Sequence, residues 1–268
     1  MKIGFVGGGN MAKAIIGGLK NNGFDTTAIT VLELDAQKRT ELNATFNVRT
    51  SDNYDEIRNS DVIVLAVKPQ QLREVCLQVT PILGAQLIIS IAAGIRSADI
   101  SRWLNHYQAI VRVMPNTPAQ IQAGVSALYA LASVTQQQRE QATTILDAVG
   151  KTLWLDDESK MDAVTAISGS GPAYVFYLIE ALQEAGIGLG LQPDEAQMLA
   201  LQTFAGAGLL AAQSTTDIKT LRAQVTSKGG TTEQGILALE NANIKSIMLL
   251  AAKAAADKSR TLGDDLAK

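Results

Sequence analysis

The first half of the chain alternates short apolar runs with longer amphipathic stretches. Segments 3–6, 29–32, 62–67, 87–91 and 110–114 are rich in β-branched residues and bounded by Gly, Pro, Asp or Asn. Short, largely apolar runs of that length suit strands buried on both faces of a parallel sheet; a half-exposed strand would alternate instead. Between the first two runs, Met11, Ala14, Ile15, Gly18 and Leu19 recur at the spacing of one helix face. Two more strands are predicted at 126–129 and 152–155, flanking a helix at 136–149. Strands and helices in alternation, joined by right-handed crossovers, predict a doubly wound sheet.

From about residue 157 the strand pattern stops. Residues 171–189, 193–213, 217–224, 231–241 and 243–264 read as helices separated by Gly, Pro and Asn. Pro193 with Asp194 and Glu195 marks one helix start, since proline suits the first helical position and acids suit the dipole. Tyr174, Leu178, Ala181, Leu182 and Ala185 share one apolar face, yet Val175 and Ile179 lie elsewhere on the same cylinder. A helix apolar on several faces must be buried on several sides, and a unit of roughly 110 residues offers few such places. A second subunit is expected to cover the remainder; the alternative is the interior helix of a monomer. The expected organisation is an α/β chain, with a doubly wound domain at 1–156 and an all-helical domain at 157–268.

Composition narrows the function classes. The 268 residues are 47% hydrophobic and 18% charged with a net charge of −3, which suits a packed core and not a disordered chain. No basic run stands out, so no nucleic-acid partner is expected. Cys76 is the single cysteine, which excludes an intramolecular disulfide framework and a cysteine-rich metal site, and no metal is expected. Asn10 and Lys13 interrupt any signal-peptide core, and no apolar run approaches the roughly 20 residues of a membrane span. A soluble, cytoplasmic protein without a membrane partner is expected.

The candidate chemistry begins at the first strand. Gly7-x-Gly9-x-x-Ala12 follows Ile3-Gly4-Phe5-Val6 and opens the first helix, which fits a dinucleotide-binding fingerprint. In that reading Gly7 allows a tight turn, Gly9 lets a pyrophosphate approach the backbone, and Ala12 lets the helix pack on the strand. The anion then sits on free N–H groups at the positive end of the helix. Glu33 closes the second run, where a carboxylate accepts a hydrogen bond from a ribose 2′-hydroxyl and repels a 2′-phosphate. Lys38 and Arg39 reverse that preference if they fold back over the site; the alternative makes Glu33 an exposed strand-end acid.

Three further strings, Ala66-Val67-Lys68-Pro69, Val113-Met114-Pro115-Asn116-Thr117-Pro118-Ala119 and Ser168-Gly169-Ser170-Gly171-Pro172-Ala173-Tyr174, follow in order. With Thr226-Ser227-Lys228-Gly229-Gly230-Thr231-Thr232, they make the chain resemble the pyrroline-5-carboxylate reductases along its whole length. The resemblance implies a Rossmann domain followed by a helical, substrate-binding domain that interlocks with its twin in a homodimer, with rings of dimers in some relatives. It implies hydride transfer from NADPH or NADH to the ring imine of 1-pyrroline-5-carboxylate, giving L-proline. It further implies that Gly7, Gly8, Gly9, Asn10, Met11 and Ala12 hold the pyrophosphate. Asn53, Ala66, Val67, Lys68, Pro69, Ile91, Ala92 and Ala93 would line the groove from adenosine to nicotinamide. Asn116 would stand near the nicotinamide end, and Glu158 would contact the cofactor. Two positions depart from the family pattern: Glu33-Leu34 replaces the small polar or basic residue that accommodates a 2′-phosphate in many relatives, and Gln224 replaces a common Asn.

A cyclic imine is basic enough to carry a proton near neutral pH, so its reduction needs positioning and water exclusion more than a strong general acid. A chain with one histidine is consistent with that, and His106, in the polar stretch Leu104-Asn105-His106-Tyr107-Gln108, is expected in an exposed loop. The 227–232 turn leads into a helix, with Thr231 and Gln234 at capping-box spacing. Glycine-flanked N–H groups at a helix N-terminus suit a small carboxylate. Ser227 with the backbone of Gly230, Thr231 and Thr232 is assigned to the carboxylate, and the Thr232 hydroxyl to the ring nitrogen, which makes Ser227 and Thr232 the candidate catalytic pair. The alternative is an ordinary helix cap. Lys68 is either a solvated strand-end lysine or a cation for phosphate or carboxylate. Residues 168–172 are read as a helix start whose serines also have the option of contacting nicotinamide or a neighbouring subunit. A β-hydroxyacid dehydrogenase and a non-catalytic dinucleotide sensor are the rival readings.

Overall fold

In the computed structural model, which describes residues 1–268, the apolar runs become strands. They are β1 (Ile3–Val6), β2 (Ile29–Leu32), β3 (Arg49–Ser51), β4 (Val62–Leu65), β5 (Leu87–Ser90), β6 (Ile110–Met114), β7 (Gly124–Ala130) and β8 (Gly150–Trp154). Helices α1 (Asn10–Asn21), α2 (Ala36–Phe46), α3 (Pro69–Val79), α4 (Ser97–Trp103) and α5 (Gln136–Asp147) separate them. The sheet order is β3-β2-β1-β4-β5-β6-β7-β8. All four residues of β1, β4 and β5 are buried, because helices cover both faces. Ile3, Phe5, Val62 and Val64 point into one core with Ile15, Ile16 and Ile145 from α1 and α5. Val6, Ile63, Leu65 and Ile88 point into the other, with Leu72 and Cys76 of α3 and Ile100 of α4. Burial pushes the Cys76 thiol up to about 12, which keeps it an inert packing group.

The sheet departs from the expected pattern in two places. Arg49, Thr50 and Ser51 carry no apolar signal, yet they form an edge strand in register with Thr30, Val31 and Leu32. Strand β7 runs antiparallel to β6, with Val113 opposite Leu128. The nine residues between these strands are too few for a parallel crossover, which takes roughly a dozen or more.

The chain divides into two compact units, Met1–Ser170 with Ala254–Lys268, and Gly171–Lys253. This differs from the expected division at 156/157. Helix α6 (Met161–Val164) and the π-helical turn Thr165–Gly169 stay with the sheet, with Met161 and Ala166 fully buried. The last residues of the chain return to the same unit. Ser259 Oγ donates to Asp162 Oδ1 at 2.7 Å, Arg96 pairs with Asp264, and Arg102 Nη2 donates to the Ala267 carbonyl at 2.6 Å. Ser168 therefore does not begin a helix; it lies in the π turn, closed by Ser170 N–H donating to the Thr165 carbonyl at 2.8 Å. The lack of an N–H on Pro172 denies Ser168 its ordinary helical partner, a local reason for the altered turn.

The second unit is helical, built from α7 (Gly171–Gly188), α8 (Pro193–Gln213), α9 (Ile218–Gln224), α10 (Thr231–Asn241) and the first part of α11 (Ile244–Leu266). Gly186 lets α7 lie close to α8, since a Cβ there would stand 3.1 Å from Ala196 Cβ. Only Ala196 and Ala200 are buried in α8, and α7, α9 and α10 bury no residue. Phe176, Tyr177, Leu189, Leu209, Leu210 and Leu250 are all more than half exposed. No single helix is long and apolar enough to cross a membrane.

Candidate active site

Strand β1 ends in a turn that only glycine permits. Gly7 has φ +100°, and a Cβ there would meet the Ala66 carbonyl oxygen at 2.7 Å. The turn is pinned by Gly7 N–H donating to the Leu32 carbonyl and Ala66 N–H to the Val6 carbonyl, each at 2.8 Å. A Cβ on Gly8 would strike Leu42 at 2.6 Å, whereas one on Gly9 would meet nothing within 4 Å. Gly9 is the N-cap of α1 and no side chain caps that helix. The first N–H groups of α1 are thus left to open space at the positive end of the dipole, the arrangement a pyrophosphate needs. Ala12 is buried beneath the helix, and Met11 packs against the same core.

The turn forms one wall of a cavity of about 580 Å³. It lies where the strand order reverses, with β2 on one side of β1 and β4 on the other, the usual ligand position of an open α/β sheet. Gly7, Gly8, Gly9, Glu33, Ala66, Val67 and Lys68 line it together. Asn10 instead faces a separate depression with Lys13 and Gln122. Pro69 occupies the first turn of α3. Ala92 is buried in the core beside Ile95 and Ile100, Ile91 packs on the opposite core, Ala93 is half-buried, and none of the three lines this cavity. The Asn53 side chain accepts from Asp55 N–H at 3.0 Å, so its carbonyl serves as a turn cap, and its neighbours Asp52 and Tyr54 face the cavity. The sequence reading also missed a wall of α3 formed by Gln71, Glu74, Val75 and Gln78. Their i, i+3, i+4, i+7 spacing, directly after Ala66-Val67-Lys68-Pro69, was the available signal.

Two polar groups expected near the cofactor are held by the protein itself. Glu158 Oε1 accepts from Ser97 N–H at 2.7 Å, from Ser97 Oγ at 3.0 Å and from Arg112 Nη1 at 2.9 Å. The Arg112 side chain is only 6% exposed, so Glu158 neutralises a buried charge on β6. It lines a different cavity of about 210 Å³ with Gly94, Arg96 and Arg260, not the glycine-turn cavity. A buried cation that needs a partner is the reason the carboxylate turns inward. Asn116 is fixed at both ends, accepting from Val125 N–H at 2.9 Å and donating to Ser168 Oγ at 3.3 Å. His106 is exposed in a turn with φ +63°.

In the helical unit, Gly230 and not Thr231 is the N-cap of α10, and no side chain caps the helix. The expected Thr231/Gln234 capping box does not form, because Glu233 reaches back to accept from Gly229 N–H at 2.7 Å. Gly230 N–H donates to the Ser227 carbonyl at 3.0 Å, so it is not available to a ligand. A Cβ on Gly230 would stand 2.5 Å from Ser227 Oγ, and its absence lets that hydroxyl lie across the helix N-terminus. Ser227, Thr231 and Thr232 are exposed. The turn therefore gathers three hydroxyls beside an uncapped helix end, a setting that suits a small anion.

The glycine turn makes a discriminating prediction. Gly9→Ala enters open space and is expected to leave the melting temperature nearly unchanged while weakening dinucleotide binding at least about tenfold. Gly7→Ala is expected to lower the melting temperature, through a strained φ and the clash with Ala66. Thermal denaturation with dinucleotide titration of both variants checks this, and equal melting losses for the two would contradict it.

A family model described as pyrroline-5-carboxylate reductase dimerisation matches residues 158–262, and one described as NADP oxidoreductase, coenzyme F420-dependent, matches residues 2–94. The pyrroline-5-carboxylate reductase of Pseudomonas aeruginosa is 43% identical over 99% of this chain and 98% of its own length. A solved pyrroline-5-carboxylate reductase from Coxiella burnetii superposes with a TM-score of 0.93 at 40% identity, covering 97% of this chain and 98% of that one. A pyrroline carboxylate reductase from Plasmodium falciparum, solved with NADP bound, gives 0.86 at 30% identity, with 98% of each chain covered. Matched end to end by such relatives, and carrying the glycine turn and the helical unit in the same order, the chain belongs to the pyrroline-5-carboxylate reductase family.

Proposed function

We propose that the protein reduces 1-pyrroline-5-carboxylate to L-proline, the last step of proline biosynthesis, with NADPH or NADH. The observation that carries this reading is the end-to-end similarity to the Pseudomonas aeruginosa reductase in a chain whose glycine turn leaves an uncapped helix end open. The residues present suit the dinucleotide. Gly9 and the first turn of α1 would take the pyrophosphate, Glu33 the adenosine ribose, and Ala66, Val67 and Lys68 the strand edge beyond. Bound reduced nicotinamide supplies the hydride that the C=N carbon accepts.

The remaining work falls to the chain's own groups. The N–H groups of Thr231 and Thr232 and the Ser227 hydroxyl hold the substrate carboxylate, and Gly230 contributes by leaving room for Ser227. The protonated ring nitrogen donates to the Thr232 hydroxyl, which fixes the ring and keeps its proton in place. No carboxylate or imidazole is required as acid, because the imine arrives protonated. Asn116, held between Val125 and Ser168, and Glu158, held by Arg112 and Ser97, act as positioning residues for the loops that follow β5 and β6. The exposed apolar residues of the helical unit support a homodimer with that unit as the interface, and Phe176, Tyr177, Leu209 and Leu210 are expected to be covered in it.

Loss of reduced-nicotinamide absorbance on adding pyrroline-5-carboxylate tests the activity. Turnover is expected with at least one dinucleotide, and none with either, in protein that still binds dinucleotide, would overturn the reading. Thr232→Val is expected to lower kcat/KM roughly 10- to 100-fold, the worth of one hydrogen bond to a charged group, without loss of folding. Analytical ultracentrifugation is expected to give twice the chain mass or an even multiple of it; a monomer at micromolar concentration would contradict the interface.

A further inference from the structure

We infer that the adenosine end of the groove is built for an unphosphorylated ribose, so that the protein binds NADH in preference to NADPH, with Glu33 as the residue that decides. This rests on the dinucleotide part of the proposed function and goes beyond it. Glu33 is not a loose strand-end acid. Its Oε2 accepts from Gly8 N–H at 3.1 Å and its Oε1 from Asp35 N–H at 3.1 Å. Two backbone donors from different elements hold the carboxylate beside the glycine turn, one residue from the open position at Gly9. The closeness depends on Gly8, whose Cβ would stand 3.2 Å from Oε2. Each carboxylate oxygen keeps lone-pair capacity for a ribose hydroxyl, which is a donor; a 2′-phosphate dianion offers only acceptors and the same sign of charge.

The cation that would rescue a 2′-phosphate is turned away. Arg39 Nη1 donates to the Glu33 and Leu34 carbonyls at 2.7 and 3.0 Å, and its Nη2 pairs with Asp52 at 3.1 Å. Its Nη1 is engaged on the backbone of the strand end and its charge is shared with an acid, so a 2′-phosphate would compete with Asp52 for it. Around the cavity stand three carboxylates, Glu33, Asp52 and Glu74, against two ammonium groups, Lys38 and Lys68. Lys68 follows β4, on the other side of β1 from Glu33, so Lys38 alone opposes Glu33 at the ribose end.

The test is equilibrium binding of NAD⁺ and NADP⁺ to the full chain, followed by calorimetry without substrate, together with turnover of pyrroline-5-carboxylate. NADP⁺ is expected to bind at least about tenfold more weakly than NAD⁺. Glu33→Gln, which keeps the size and removes the charge, and Glu33→Ser are each expected to bring the two affinities within about threefold by tightening NADP⁺. Lys38→Ala is expected to leave the ratio in place. Tighter binding of NADP⁺ by the unaltered protein, or discrimination that survives both Glu33 variants, would overturn the inference. Failure to bind either dinucleotide overturns it together with the cofactor reading. Discrimination without turnover supports it while removing the proposed reductase activity.

Discussion

At the end of β1 the backbone passes so near to β4 that a single methyl group on Gly7 would press against the Ala66 carbonyl. The rest of the dinucleotide groove depends on that close passage. It lets Gly7 N–H reach the Leu32 carbonyl and lets the chain reverse into α1 without a capping side chain. It also sets the uncapped helix end in the crevice between β2 and β4, where Ala66, Val67 and Lys68 leave the neighbouring strand. A bulkier turn would displace the helix, and the N–H groups would point into protein. The groove is thus a consequence of backbone packing, and Glu33 is held beside it by the Gly8 and Asp35 N–H groups.

A second constraint acts through charge. Arg112 sits on β6 almost fully buried, and its guanidinium must be answered inside the protein. Glu158 answers it and in the same gesture takes both donors of Ser97, so β6, the start of α4 and the segment after β8 share one carboxylate oxygen. The C-terminal end of the chain adds to this knot through Asp162 with Ser259 and Arg96 with Asp264. This explains why the sheet-bearing unit keeps residues beyond 156 and recovers those after 253. The helical unit leaves large apolar side chains such as Phe176, Tyr177, Leu209 and Leu210 exposed, the feature on which the proposed homodimer rests.

Much of the architecture was legible because it rests on local rules. Runs such as Val62–Leu65 and Leu87–Ile89 are apolar throughout, and most breaks between the helices of the second half carry Gly, Pro or Asn, so their bounds fall within two residues of the structure. Strand β3 was not legible, since Arg-Thr-Ser becomes a strand only through its pairing with β2. The antiparallel turn into β7 was legible from the short connection but was missed. At the site, glycine spacing located the turn, and what it could not convey was the destination of side chains. Asn53 caps its own turn, Glu158 serves Arg112, Gly230 gives its N–H to Ser227, and Glu233 takes the reach-back role expected of Gln234. Each of these depends on partners brought near by folding, or on one-residue differences in where a helix begins.

The most direct test of the account is the fate of the hydrogen. With pyrroline-5-carboxylate and a nicotinamide dinucleotide deuterated at carbon 4 of the ring, on whichever face the enzyme uses, mass spectrometry and NMR of the product are expected to show L-proline carrying one deuterium on ring carbon 5. Dinucleotide oxidation without labelled proline, or proline labelled at another carbon, would contradict the assignment of this chain as an imine reductase.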